Sequence, residues 1–386
     1  MKYAESDSFY YFSNHHSNES FYDQDEASTI ETTNQDEALV PQVINPQFDG
    51  KVISGGDDGT IKIFCKRTGR MLANLVNAHQ GPVNCIVLLN VQSALFASCS
   101  DDCTIKIWSH LDYSLIHIIQ IHAGPVLCLK YLPDNKLISA SEDGYVKIIR
   151  LTENHGWEIL SELIGHTNSV EHLELLTNNR LATGSRDNTI RIWDIELVRT
   201  PILIEIIDDF ESNIKGLLFL EPFYLATISN DGFAHIYDID NFIQLTSPVE
   251  LETGTFESMC CLSHGKIALG CSDSSSIIIW SYLNDQIELL TYPENIGAAK
   301  YLKQFDDNII ICGYENGTIV IYDFNNYEIH LFVGHFEEIN EIVFDSNKSI
   351  MASASDDSSI ILWGNDGYNI TLQNHIGRVN CIKLVD

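Results

Sequence analysis

A short alternating strand that ends in an aromatic or aliphatic residue recurs along the chain every 41 to 44 residues, and nothing else in the sequence limits the possible folds so strongly. The ends fall at Phe64, Trp108, Ile149, Trp193, Tyr237, Trp280, Tyr322 and Trp363, which makes eight copies. Ahead of each end lies a polar hairpin turn: GGDDGT, SCSDDCT, SASEDGY, TGSRDNT, TISNDGF, GCSDSSS, CGYENGT and SASDDSS. Asp, Asn, Gly and Ser suit such turns because short polar side chains bond their own backbone and tolerate positive φ. Each copy adds an apolar strand upstream, as in 83–88 or 170–175, and a weaker one downstream, as in 116–119. Four short strands per copy with no helical period between copies predict an all-β radial array of four-stranded antiparallel blades. One blade cannot bury both of its faces, so neighbours must stack.

These residues resemble the WD40-repeat β-propeller family, in its eight-bladed form, from about residue 51 to residue 386. The resemblance implies a structural tetrad in each blade: a His before the first strand, a Ser or Thr in the second, an Asp in the turn and a Trp in the third. Three copies supply all four as His79, Ser98, Asp102 and Trp108; His166, Thr183, Asp187 and Trp193; and His335, Ser353, Asp357 and Trp363. A buried imidazole needs a partner on each nitrogen and an indole N–H needs an acceptor, so a chain of hydrogen bonds satisfies all of them. A Ser, His and Asp together also suggest a hydrolase triad or a metal site, but repetition at blade spacing argues for bracing. Other copies depart from the pattern. Ile149 replaces the Trp beside His122, Ser139 and Asp143, and the copies ending at Tyr237, Trp280 and Tyr322 lack the leading His. In the last two of these, Ser274 and Asn316 fall where the turn Asp is expected. Apolar packing is expected to dominate in these three blades, making them the softer arc of the ring.

The chain ends predict how the ring closes. Residues 375–385, HIGRVNCIKLV, match 79–89, HQGPVNCIVLL, yet no blade follows them, while the first copy has Asp58 but no leading His. Joining the halves gives a composite blade with His375, Ser54, Asp58 and Phe64, sealed by the C-terminal strand so that no sheet edge is left open. A rival first strand at 40–45 contains Pro41 and precedes Pro46, and proline is poor in a paired strand. The propeller is thus expected to span 43–386. Residues 1–42 carry Lys2 as their only basic residue and show no period, which predicts a disordered acidic tail whose clusters Phe9-Tyr10-Tyr11-Phe12 and Phe21-Tyr22 are candidate docking motifs.

Of the 386 residues, 54 are Asp or Glu and 22 are Lys or Arg, a net charge of −32. That field repels nucleic-acid phosphates and anionic lipid and favours basic partners. Ten cysteines without a CxxC pair read as buried cytosolic thiols, and no leader-like apolar segment opens the sequence, so the expected location is the cytoplasm or nucleus. No apolar run reaches transmembrane length, so no membrane insertion is expected.

Propellers of the family bind peptides or proteins on the rim that carries the Asp turns, and the resemblance implies contacts at two positions per blade. The residue before the turn Asp gives Asp57, Asp101, Glu142, Arg186, Asn230, Glu315 and Asp356; the residue after the first-strand Val gives Asn84, Leu127, Glu171, Lys215, Asn340 and Asn380. The ring is acidic apart from Arg186 and Lys215. The expected function is a non-catalytic scaffold, part of a multiprotein complex, that receives a basic segment of another protein on this rim. A substrate-recognition subunit of a ubiquitin ligase is the alternative, weakened because phosphopeptide sites need clustered arginines. An enzyme with a site in the propeller channel is the contrasting class. No phosphate loop, zinc motif or nucleophile elbow appears, and Asp57-Asp58-Gly59 lacks the alternating oxygens of a calcium loop. No cofactor, metal or small-molecule substrate is expected.

Overall fold

The computed structural model describes residues 50–89, 94–152, 156–251, 254–291, 296–324, 328–364 and 369–386. The expected tail at 1–42 and the rival strand at 40–45 lie outside them. The described residues form strands and no helix, arranged as eight antiparallel blades. Blade 1 consists of Lys51–Gly56, Ile61–Cys65 and Met71–Leu75 with the C-terminal strand Val379–Val385. Blade 2 consists of Val83–Leu88, Leu95–Ser100, Ile105–Ser109 and Leu115–Ile119. Blades 3 to 8 follow, with first strands beginning at Val126, Val170, Ile214, Phe256, Ala299 and Ile339. In blade 5 two short pieces, Ile243–Gln244 and Val249–Glu250, share the outermost place.

The core is not inside the blades but between them. Eight apolar clusters are present, each drawn from two neighbours: Ile53, Ile61 and Ile63 of blade 1 pack against Val83, Ile86 and Phe96 of blade 2, and Phe64 and Val52 of blade 1 pack against Ala352 and Leu362 of blade 8. Second strands are buried on both faces, which is why they read as continuous runs of small and aliphatic residues such as Leu181-Ala182-Thr183-Gly184. Closure follows the composite scheme: Lys51–Gly56 pairs antiparallel with Val379–Val385, Val52 opposite Leu384 and Ser54 opposite Ile382.

The tetrads brace each blade from its turn to its third strand. In blade 2 the Trp108 indole N–H donates to Ser98 Oγ at 2.9 Å, and Ser98 lies 2.7 Å from His79 Nε2. His79 Nδ1 meets Asp102 at 2.9 Å. A carboxylate only accepts, so Nδ1 carries the proton and the Ser98 hydroxyl donates to Nε2. Asp102 also receives the N–H of Gln80 and the N–H and hydroxyl of Thr104. The sets of Trp193 and Trp363 repeat this arrangement. In composite blade 1, Ser54 Oγ lies 2.9 Å from His375 Nε2 and His375 Nδ1 lies 3.1 Å from Asp58, while Phe64 offers no N–H. Lys62, fully covered, bonds Asp58 at 3.1 Å and Thr60 at 2.6 Å instead. Seven of the eight turns place one residue at positive φ, met by Gly59, Gly144, Gly232 and Gly317, by Asn188, and by Cys103 and Ser358. At Gly59 a Cβ would also stand 2.7 Å from the His79 carbonyl oxygen.

Blades 5 to 7 keep polar bracing that the sequence reading did not anticipate. In blade 7 the Tyr314 and Tyr322 hydroxyls bond each other at 2.7 Å, and Tyr314 donates to the Ser275 carbonyl of blade 6. In blade 5 Phe210 holds the place of the leading His, His235 stacks on Tyr237, and the Tyr237 hydroxyl donates to Asp209. Blade 6 corrects the register: Ser272 is the pre-turn residue and Asp273 the turn residue, because the turn is one residue longer before Ile277 pairs with Gly270. Trp280, with Leu269 where six of the other blades have Ser or Thr and blade 7 has Cys312, donates to Asp285 instead.

Burial lowers the pKa of the His79, His122 and His375 imidazoles, despite their Asp partners, and brings that of His172 down to about 4. Burial pushes the carboxyls of Asp58, Asp102, Asp187 and Asp357 up, but their hydrogen bonds outweigh it and hold them well below the usual carboxylate range. Neutral imidazole and ionised carboxylate are therefore the folded forms. The unfolded chain binds more protons below the ordinary His pKa of about 6.5, and again below about 4 for Asp, so stability is lost as pH falls through each window. Melting temperature is expected to be level above pH about 7, to decline below about 6.5 and to collapse below about 4. Thermal melts across that range check it. Trp193 is 4% exposed, and Trp193→Ala is expected to cost about 3–5 kcal/mol, read as a lowered denaturation midpoint.

Candidate functional site

The eight turns between second and third strands occupy equivalent places. The pre-turn N–H of Asp57, Asp101, Glu142, Arg186, Asn230, Glu315 and Asp356 donates in every case to the carbonyl of the residue before the first strand, at 2.9–3.2 Å. Ser272 completes this ring as the eighth member, with its N–H on Thr255. The pre-turn positions read from the sequence do form one circle. What their side chains do there differs from blade to blade.

Along blades 8, 1 and 2 the second set of positions is stitched by amides. Asn340 donates to Asp356 at 2.8 Å and to the Val379 carbonyl of blade 1 at 3.1 Å. Asn380 donates to Asp57 at 2.9 Å and to the Val83 carbonyl of blade 2 at 3.1 Å. Asn84 donates to Asp101 at 2.8 Å and to the Val126 carbonyl of blade 3 at 2.9 Å. Both amide hydrogens of each Asn are thus engaged within the protein, and each ties its blade to the next. These three residues serve the ring itself.

Blades 5 to 8 are stitched by charge. Lys215 meets Glu257 at 2.6 Å, Lys300 lies 3.5 Å from both Glu257 and Glu338, and the chain of alternating signs crosses three blade boundaries. Burial pushes the Glu257 carboxyl up, but Lys215 and Lys300 pull it below its ordinary range; Glu338 is raised by burial, with Asp356 and Glu257 adding to the rise and Lys300 opposing it. In blade 4 the same two places hold Glu171 and Arg186, 2.6 Å apart. Arg378 stands 3.3 Å from Asp356 and 3.9 Å from Asp57.

Every cation in this circle therefore faces a carboxylate. Arg186 is half-exposed but paired, and so is Lys215. Asp101 and Glu142, exposed on blades 2 and 3, have no cation partner among the described residues; Asp101 accepts only from Asn84 on its side chain. Leu127 and Asn230 share the equivalent places without a bond that joins blades. The sequence reading passed over Glu257, Lys300, Glu338 and Arg378. The first two follow Phe256 and Ala299, which stand where other blades begin with Val or Ile; the last two precede the first strand, a place not considered.

A closed ring of eight blades, braced inside by His–Asp–Ser–Trp chains and presenting a circle of polar turns on one rim, defines a repeat propeller. The profile of the WD domain, G-beta repeat, matches residues 69–109, 113–150, 157–194 and 326–364, so the chain carries WD40 repeats on an eight-bladed propeller. It is similar to the nuclear distribution protein nudF of Aspergillus niger, 26% identical over 79% of this chain and 65% of the relative. It is also similar to the nuclear distribution protein PAC1 of Coccidioides posadasii, 26% identical over 75% of this chain and 58% of the relative. The chain thus spans less than two thirds of the length of these relatives. The E3 ubiquitin-protein ligase COP1 of Arabidopsis thaliana is 28% identical over 50% of this chain and 28% of the relative. Among solved structures, the computationally designed Ika8 protein superposes with a TM-score of 0.69 at 22% identity, covering 81% of this chain and 93% of that one, a likeness of fold.

The two kinds of rim residue separate by mutation. Asn84→Ala removes both bonds and strands a carbonyl, and is expected to lower stability by about 1–3 kcal/mol. Glu142→Ala, which breaks nothing, is expected to stay within about 0.5 kcal/mol. Paired urea titrations decide it.

Proposed function

We propose that the propeller is a non-catalytic scaffold that receives a basic segment of a partner protein, such as a Lys/Arg-rich tail, on the acidic rim. Its centre is the arc of blades 2 and 3 around Asp101 and Glu142. The observation that carries this is the asymmetry of compensation: rim cations are matched internally, whereas these two carboxylates are not. A chain of net charge −32 adds attraction at longer range. The tetrad Ser, His and Asp groups are buried braces, so the constellation most like a hydrolase triad supports no catalytic role. Similarity to proteins of the WD40 family fits an interaction scaffold working within a complex.

A second reading, a substrate-recognition subunit of a ubiquitin ligase, is favoured by the likeness to COP1 over half the chain. On this reading too the recognised segment is basic or neutral, since Arg186 is paired with Glu171 and cannot join an arginine cluster for phosphate.

A Lys/Arg-rich peptide is expected to bind with an affinity that drops as salt rises. Asp101→Lys together with Glu142→Lys is expected to abolish the binding, and Arg186→Glu to leave it intact or strengthen it. Fluorescence anisotropy at two ionic strengths checks this; equal affinity for a neutral peptide of the same length would falsify the reading.

A further inference from the structure

The third residue of the inner strand faces the next blade, and in blades 6, 7 and 8 its side chain bonds the backbone there. Ser258 donates to the Ala299 carbonyl, Tyr301 to the Ile342 carbonyl, and Glu341 accepts from the Ile382 N–H. Blades 1, 2 and 3 place cysteines here, Cys381, Cys85 and Cys128, where the other blades have His172, Gly216, Ser258, Tyr301 and Glu341. In blade 2 alone the cross-strand partner is also a cysteine: Cys85 stands directly opposite Cys99, whereas Cys128 faces Ala140 and Cys381 faces Gly55.

Directly opposed residues on antiparallel strands have Cα atoms about 4.5–5.5 Å apart, inside the span of about 4.4–6.8 Å that a disulfide bridges. The two thiols are free and hydrogen-bonded to each other. Cys85 is partly exposed and Cys99 is buried. Around the Cys85 sulfur stand the Leu129 N–H from blade 3 and the Lys383 ammonium from blade 1, with the carboxylate of Glu341 as the opposing charge. Such surroundings favour a thiolate.

We propose that Cys85 and Cys99 form an oxidant-sensitive dithiol in which hydroperoxide converts the pair to a reversible disulfide across the first two strands of blade 2. Cys85 thiolate attacks one peroxide oxygen, the O–O bond breaks, and Cys85 sulfenic acid forms as hydroxide leaves and is protonated to water. The Cys99 sulfur then attacks the Cys85 sulfur, the S–OH bond breaks, and the hydroxyl departs with the Cys99 proton as a second water. The sulfurs together lose two electrons and the peroxide gains two. Burial pushes the Cys128 and Cys271 thiols up, whereas the hydrogen bond from Cys99, aided by Lys383 and the Leu129 N–H, outweighs burial at Cys85 and lowers it.

The full chain, treated with equimolar hydrogen peroxide, is expected to lose two free thiols of its ten. Chymotryptic digestion, which cuts at Phe96 between the pair, is expected to give the Cys85 and Cys99 peptides joined, and dithiothreitol to separate them. Cys99→Ser is expected to give no joined peptide but a dimedone adduct on Cys85, and Cys85→Ser neither product. Oxidation that begins at Cys103 or any other thiol, or a bridge from Cys85 to Cys128 or Cys381, would overturn the proposal. The wild-type peptide map decides the matter even if a variant fails to fold.

Discussion

Packing between blades is the constraint from which everything else follows. Each blade shares one apolar cluster with the neighbour before it and another with the neighbour after it, so no blade holds a complete core of its own. Eight clusters for eight blades can exist only in a closed circle. The hydrogen-bonded tetrads have a narrower role, holding the loop that enters each blade against its turn and third strand, and so fixing the height and tilt of the rim. Hydrophobic burial supplies the attraction, and the polar chains choose the geometry.

Much of this could be read from the residues because the fold repeats its instructions. Trp193, Thr183, Asp187 and His166 recur elsewhere at matching offsets, and the match of 375–385 with 79–89 foretold the composite blade. Where the repeat decays, substitutes arise from contacts that no period encodes. Tyr314 and Tyr322 find each other across adjacent strands, and Phe210 sits against His235 because the imidazole's usual place is filled by a phenyl ring. An extra turn residue in blade 6 defeated counting, since spacing from Trp280 points to Ser274 although the chain places Asp273 in the turn.

The rim was legible in position and not in state. Asn84, Asn340 and Asn380 stand where the sequence put them, but their second acceptor is a backbone carbonyl of the next blade, and backbone leaves no mark in sequence. Arg186 is the one basic residue among the pre-turn positions read from the sequence, and its pairing with Glu171 makes it the counterpart of an Asn–Asp stitch. Charge in this ring is largely mortar, and the exceptions are what face outward uncompensated.

The offset between repeat and blade also sets an order of assembly. Seven blades are contiguous in sequence, and their hairpins can form as the nascent chain leaves the ribosome. Blade 1 cannot: its inner strand, Val379–Val385, is made after all the others, and the Asn380–Asp57 bond joins positions 323 residues apart. Until that strand emerges, Lys51–Gly56 is an open sheet edge able to pair with any stray strand nearby. The entropy of closing so long a loop grows only logarithmically with its length, so the delay is one of timing more than of free energy. A polypeptide that stopped just short of Val379 would have almost all of its blades and no ring.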